Sequence, residues 1–247
     1  MMQSIAPIRR RSLVVHTRDA ILASILGGKF PGGKVPAEDD LAAILGVSRT
    51  TVRGALQSLA QHGLVTRTPG RGTYVQSRIT PSTVALQRLI GFTRLLAEQG
   101  HEVTHEGMWS EVADQPPEVV KALGLEPPQT CYLFDRLILA TGMPAIWATD
   151  YFPTQAFVRQ PTTDDLMGES PFELARDLLI EPIDHAIVEI VPCLPTADVQ
   201  NRLGIGRSDP YIMLREAHFG ASRTPLGFSL IHVNDHFVRF EMVRTAD

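Results

Sequence analysis

The sequence predicts an α+β chain of two domains, a small helical one that ends in a hairpin and a larger one built on antiparallel hairpins. Three observations carry that prediction. Up to Val75, apolar residues recur at helical spacing and then give way to two short β-prone runs around Pro69-Gly70-Arg71-Gly72. From Thr130 onward, β-branched and aromatic runs come in pairs separated by turn residues, with helix-like segments between them. The charge divides at the same place. Residues 1–76 hold ten Lys/Arg against four Asp/Glu, a balance of +6, and the remainder holds thirteen against twenty-three, a balance of −10. A basic first part suits contact with phosphates, and an acidic second part does not.

The elements of the first domain follow in order. Residues 1–12, with Arg9-Arg10-Arg11, form a basic arm, either disordered or laid along a DNA backbone. From about Val14 to Gly27, Ile21, Leu22, Ile25 and Leu26 mark a first helix. Pro31-Gly32-Gly33 is a turn, and Pro36-Ala37-Glu38 starts a second helix whose run Leu41 to Leu45 stops at Gly46, suited to the left-handed conformation that closes helices. Ser48 then caps a third helix, because its hydroxyl can accept from a free backbone N–H of the first turn. Val52, Ala55, Leu56 and Leu59 fall on one face of that helix, while Arg49, Thr50, Thr51 and Arg53 fall on the other. Two helices joined by a tight Gly-containing turn, the second basic at its start, make a helix-turn-helix. Gly63-Leu64-Val65 leads into Thr66-Arg67-Thr68, the Gly-rich tip and Thr73-Tyr74-Val75. Such a hairpin is a wing that can lay Arg67, Arg71 and the Gly72 backbone against phosphates or into the minor groove.

The run from Gly27 to Val75 resembles the winged helix-turn-helix of the GntR family of bacterial transcriptional regulators. The resemblance implies double-stranded operator DNA as a partner, contacted by Arg49, Thr50, Thr51, Arg53, Arg67, Arg71 and Gly72. One departure stands out. The family pattern P-S-E-R-E-L often has a DNA-contacting Arg where this chain has Asp39. A carboxylate there repels phosphate, so the second helix is expected to contribute less and Arg49, Arg53 and Arg71 more.

Residues 13–76 are thus read as the DNA-binding domain, 77–83, polar and holding Pro81, as a linker, and 84–247 as the second domain. Ser82 can cap a helix in which Leu86, Leu89, Ile90, Leu95 and Leu96 form a stripe closing at Gly100. An alternating stretch from Val103 to Val112 and a short helix from Pro116-Pro117 to Gly124 follow. The clearest hairpin joins Thr130–Ala140 to Ala145–Phe152 through a turn at Thr141-Gly142-Met143-Pro144. Helices are expected near Asp164 to Met167, from Pro171 to Leu179 and from Thr196 to Leu203. Strands are expected at Ala186–Val191, Tyr211–Phe219 and Leu226–Val233.

This order, with the hairpin motif R-L-x-L-A-x-G-x-P starting at Arg136, resembles the UTRA effector domain, which accompanies GntR winged helices in the HutC subfamily and whose fold is similar to chorismate lyase. The resemblance spans roughly Pro81 to Arg244. It implies a small-molecule effector, with ligands in the family including phosphorylated sugars, urocanate and phosphonate compounds, and it implies that the ligand loosens DNA binding. By resemblance the effector cleft is lined by Phe92, Thr93, Arg94, Arg136, Tyr151 and Ser170, and Glu216, Ser229 and His232 can complete it. Arg136 either holds an anion or pairs with Asp135 or Asp150. Sugar-phosphate sensors often have a second Arg where this chain has Ile138 and a Glu where it has Ala148. Both departures turn the expectation away from an aminosugar phosphate, towards another anionic or more apolar metabolite.

The remaining readings bound the function. Cys131 and Cys193 sit in apolar runs and read as reduced thiols of a cytoplasmic protein. No apolar run approaches the length of a membrane span. His101 and His105 lie beyond a helix end, and His218, His232 and His236 are placed on adjacent strands without a Cys or carboxylate at ligand spacing, so no metal is expected. No cofactor fingerprint, phosphate loop or nucleophile elbow is found, and no catalytic residue is assigned. The leading expectation is a ligand-responsive regulator, a repressor, acting as a homodimer on a two-fold symmetric operator. The alternative is a lyase-like enzyme domain fused to a DNA-binding module.

Overall fold

Leu13–Leu26 forms α1, which buries Thr17, Ile21, Leu22 and Ile25 in one stripe. The computed structural model describes residues 13–76, 79, 90–126, 128–162, 165, 170, 172 and 178–241. Contacts divide the chain into two compact units, one of Met1–Val84 with Glu241–Asp247 and one of Ala85–Phe240. In the first unit α2 spans Glu38–Leu45 and ends at Gly46, whose φ of 64° is left-handed and whose N–H bonds Ala42 O. Helix α3 (Arg49–Gln61) starts at Ser48, whose hydroxyl accepts from Thr51 N, and buries Val52, Ala55, Leu56 and Leu59. Gly54 lies against α1, where an added Cβ would stand 3.2 Å from Val14 Cγ1, so the absent side chain lets the two helices approach. Strands β2 (Val65–Thr68) and β3 (Gly72–Val75) make the wing.

A third strand was not expected. Lys34–Val35, directly after the Pro31-Gly32-Gly33 turn, pairs antiparallel with β3 as β1, giving the order β1-β3-β2. Two residues carry no readable alternation, and this pairing ties the turn to the wing through Val35, which is buried in the helical core.

The second unit is a six-stranded antiparallel sheet, ordered β4-β5-β6-β9-β8-β7. Its strands are β4 (Val103–Val112), β5 (Cys131–Ala140), β6 (Met143–Pro153), β7 (Ile183–Cys193), β8 (Tyr211–Gly220) and β9 (Pro225–Val233). The chain leaves β6, crosses to the far edge as β7, and returns so that β9 pairs with β6 in the middle. The β5–β6 turn is two residues, not the expected four. Thr141 and Gly142 both have positive φ, 51° and 79°, matching the twist that a two-residue hairpin demands. Thr141 N donates to Glu102 O at 2.7 Å, which holds the strained threonine in place.

Alternation along the strands assigns each sheet face its cover. On one face α4 (Phe92–Glu98) packs Leu95 and Leu96 against Ile138, Ile146, Leu214 and Ile231. On the other, α5 (Pro117–Leu123) places Val119 and Leu123 against Cys131, Tyr151 and Phe228. Helix α6 (Ala197–Leu203), capped by Thr196, packs Val199 and Leu203 beside Tyr211 and Trp147.

The helix expected to run on to Gly100 is corrected at its start. Gly91 is extended (ψ 151°) and serves as the N-cap of α4, so the apolar stripe containing Ile90 is interrupted. The expected cap Ser82, the arm 1–12, residues 77, 78 and 80–83 of the linker, and most of the segments 164–167 and 171–179 lie outside the described residues. His236 belongs to a turn rather than a strand, and Cys193 is half-buried where Cys131 is fully buried.

Candidate nucleic-acid interface and ligand cavity

The start of α3 and the wing present cations to solvent around one acid. Glu38, the first residue of α2, has a side chain only 15% exposed, yet three exposed arginines converge on it. Its Oε2 accepts from Arg49 Nε at 3.2 Å and from Arg53 Nε and Nη2 at 3.1 and 2.9 Å, and its Oε1 accepts from Arg67 Nη2 at 2.6 Å. Hydrogen bonding from Arg53 has the largest effect on the Glu38 carboxyl; joined by Arg49 and the nearby guanidinium charges, it outweighs the opposing effect of burial and holds the group below the usual carboxylate range. Asp39 Oδ2 lies 3.4 Å from Arg49 Nη1. The acid that departs from the family pattern therefore touches a predicted DNA-contacting arginine on its own molecule.

The other predicted contacts take their places around this centre. Thr50 is exposed, whereas Thr51 is half-buried with its hydroxyl 2.7 Å from Ser48 Oγ, engaged in the cap. Arg71 projects from the wing tip, where its N–H bonds Thr68 O and where Gly70 and Gly72 have positive φ. These glycines bring backbone to the surface at the point a wing would meet phosphates.

The second site is a cavity on the α4 face of the sheet, about 350 Å³ counting the space at its mouth. Phe92, Phe172, Ile138, Ala148 and Ile231 supply apolar lining, and Arg136, Asp150, Glu216 and Ser229 supply the polar groups. Cross-strand register explains the gathering: Arg136 stands opposite Ala148, Asp150 opposite Ser229, and Ser229 opposite Glu216. Arg136 pairs with Asp150 at 2.6 Å, the two side chains 12% and 1% exposed. Buried charges persist only when their remaining valences are met. Asp150 Oδ1 accepts from Ser229 Oγ at 2.5 Å, and Ser229 Oγ lies 2.8 Å from His218 Nε2. Since Ser229 gives its proton to Asp150, His218 must donate from Nε2, which leaves Nδ1 bare; that atom has no hydrogen-bond partner and stands 3.9 Å from Glu216 Oε1.

Burial sets the protonation of this group. It pushes the Glu216 carboxyl up to about 8, with the Asp150 charge adding to the effect, and pushes His218 down to about 4. At neutral pH Glu216 is a neutral acid and His218 a neutral imidazole. The Ser229–His218 contact is not an activated nucleophile, because the histidine presents N–H to the serine instead of a lone pair. Arg136 Nε is buried and has no hydrogen-bond partner among the described residues.

Not every expected lining residue reaches the cavity. Tyr151 and His232 project to the opposite face, since each is one residue out of phase with Asp150 and Ile231. Tyr151 packs under α5, and His232 stacks on Trp147 with ring centroids 4.6 Å apart and bonds Tyr211 Oη at 3.1 Å. Arg94 is exposed and bonded to Glu98. Thr93 and the buried Ser170 are not among the lining residues. Asp150 and His218 were missed as site residues; an Asp inside the apolar run Ala145–Phe152 was the available signal. Glu38 was missed too, although it sits beside the departure at Asp39.

With this geometry in place, comparison with known proteins becomes decisive. Residues 13–75 match the model described as bacterial regulatory proteins, gntR family, and residues 98–246 match the UTRA domain. The chain belongs to the GntR family. It is a transcriptional regulator of the HutC type, with a DNA-binding helix-turn-helix and a UTRA domain. Similar proteins include the transcriptional repressor NagR of Bacillus subtilis, 28% identical over 76% of each chain. The transcriptional regulator GgaR of Escherichia coli is 24% identical over 89% of this regulator and 86% of its own length. The fold is shared with a "possible transcriptional regulator", YydK, of Bacillus subtilis (TM-score 0.70, 18% identity, 95% of this chain and 100% of that one). PhnF of Mycobacterium smegmatis gives a TM-score of 0.56 at 22% identity, over 94% of this chain and 100% of that one. No described helix of this GntR-family chain is long and apolar enough to cross a membrane.

Proposed function

We propose that this regulator is a cytoplasmic repressor that binds a two-fold symmetric operator as a homodimer and releases it when a small acidic metabolite enters the cavity of the second domain. The observation that carries the reading is the pairing, in one chain, of an exposed arginine cluster on a helix-turn-helix and wing with a separate cavity whose buried Arg136 Nε is unpartnered. Arg49, Thr50, Arg53, Arg67, Arg71 and Gly72 face the DNA, and residues 77–83 connect the two functions. Two relatives named as repressors, NagR and the mannosyl-D-glycerate system repressor MngR, favour repression as the sign.

The ligand class follows from the charge already present. Asp150 offsets Arg136, so the cavity suits an acceptor oxygen or a single acidic group beside apolar surface, and suits a doubly charged phosphate less well. The homodimer is supported by β7, an edge strand of the sheet among the described residues, with Ile187 63% and Ile190 46% exposed. Binding without turnover is supported by the direction of the Ser229 proton. A thermal-shift screen of small carboxylic acids tests the reading: an acid that raises the melting temperature of the full chain must also change its affinity for DNA. A stabilising acid that leaves DNA affinity unchanged removes the sensor role, and consumption of that acid would assign the domain to catalysis.

A further inference from the structure

We propose that Glu38 sets the DNA-sequence discrimination of this regulator by holding the Arg53 guanidinium along one edge so that its other edge reads a guanine. The inference rests on the assignment of the α3 start and wing to DNA, and extends it to a residue that touches no DNA itself. A guanidinium offers five N–H donors in a rigid fork. Glu38 takes the side edge of Arg53, Nε and one hydrogen of Nη2, at 3.1 and 2.9 Å. The end edge, Nη1 with the second hydrogen of Nη2, has no hydrogen-bond partner among the described residues, and such an edge matches the O6 and N7 acceptors of guanine in the major groove.

Arg49 is held differently. Its Nε meets Glu38 and its Nη1 meets Asp39, so acids touch both of its edges and it is less well placed to make two parallel bonds to one base. The carboxylate is the natural centre of this arrangement. It is the most buried group in it, 15% exposed against 57%, 52% and 38% for Arg49, Arg53 and Arg67, and its partners come from 11, 15 and 29 residues away in the chain. Three guanidiniums against Glu38 and Asp39 still leave a positive surplus to draw in a duplex. An arginine turned aside to any phosphate must abandon Glu38, however, and that penalty falls on non-specific complexes alone. Glu38 thereby weakens binding to arbitrary DNA while strengthening binding to the right guanine.

The test uses the full chain and two probes, a duplex selected by the wild-type protein from a randomised duplex library and a duplex of scrambled sequence, titrated by fluorescence anisotropy at two salt concentrations. Glu38→Gln is expected to bind the selected duplex about tenfold more weakly, the low end of what one bidentate base contact contributes, and the scrambled duplex as tightly or more tightly. Selection repeated with Glu38→Gln is expected to return sites in which a guanine fixed by the wild type has become variable. Arg53→Lys, which keeps the charge but has no second edge, is expected to lose the same discrimination and provides the test should Glu38→Gln unfold. Equal weakening on both duplexes, the mark of a structural role, or equal strengthening, the mark of charge removal alone, overturns the proposal. If Arg53→Ala leaves both affinities unchanged, the underlying DNA assignment fails instead.

Discussion

Two glutamates show how differently the two regions use the same side chain. Glu38 stands among three exposed arginines, which hold its carboxyl below the usual range, so it is a permanent charge. Glu216 lies 8% exposed in the second domain beside Asp150, and burial raises its carboxyl to about 8, so at neutral pH it is a proton store. On the surface, water screens each pair, so a single change there costs little folding stability. In the cavity screening is weaker, and a charged group left without its partner is costly. The first region keeps its charges paired at the surface, and the second keeps them paired under burial.

The largest expected effect tests that contrast directly. Asp150→Ala leaves the Arg136 guanidinium buried with its 2.6 Å partner gone, and should cost about 3–5 kcal/mol in the denaturant unfolding of the second domain. Glu38→Gln, which disturbs three exposed pairs, should cost less than about 1 kcal/mol in the same experiment on the first domain. Comparable losses would show that the two clusters do not differ as described. Next in size, Arg49→Ala and Arg53→Ala should each weaken binding to a selected duplex by about 1–3 kcal/mol at fixed salt, with Arg53 the more damaging; unchanged affinities in a gel-shift titration would remove both from the interface.

The pH dependence separates the glutamates by sign. Glu216 has its folded pKa raised from 4.5 to about 8, so the folded protein keeps a proton that the unfolded chain releases, and stability falls as pH rises between those values. His218 and His232, lowered from 6.5 to about 4, act oppositely, adding stability as pH rises from about 4 to 6.5. Between 6.5 and 8 Glu216 acts alone among these three, at up to about 1.4 kcal/mol per pH unit. Chemical denaturation of the second domain should therefore show declining stability across that window, and Glu216→Gln should flatten it. A wild-type profile that is already flat would mean that Glu216 is ionised in the folded state. Glu38, shifted the other way, contributes stability at neutral pH that is lost as pH falls through its lowered pKa, the smallest of these effects.

Local signals proved sufficient where the chemistry is local. The Gly46 turn and Ser48 cap each involve bonds within five residues, to Ala42 and Thr51, and both were readable as residue types at set spacings. Strand β1 was not, because two residues have no period and its partner lies some forty positions on, Lys34 against Tyr74. The apolar stripe through Ile90 read as one continuous helix, yet Gly91, whose extended backbone starts α4, interrupts it. In the cavity, Glu216 and Ser229 were named for the right face while Tyr151 and His232 were not. A resemblance locates a strand, but the face a residue occupies turns on a single step of register.

The sequence by itself determined that there are two domains of opposite charge, that the first is a winged helix-turn-helix with arginines at the start of α3, and that the second is an antiparallel sheet with interleaved helices. The charges follow from composition summed over each part, and the elements from periodicity and capping residues within a dozen or so positions. Only the tertiary structure decided that Arg49, Arg53 and Arg67 share Glu38, and that Asp150 meets Ser229, 79 residues away. Those partnerships arise when strands and helices from distant parts of the chain are packed together, and neighbouring guanidiniums then keep one carboxylate charged while burial keeps another protonated. That distance-dependent electrostatics has no period along a chain, which is why the helix proposed to meet DNA was legible and the acid proposed to aim it was not.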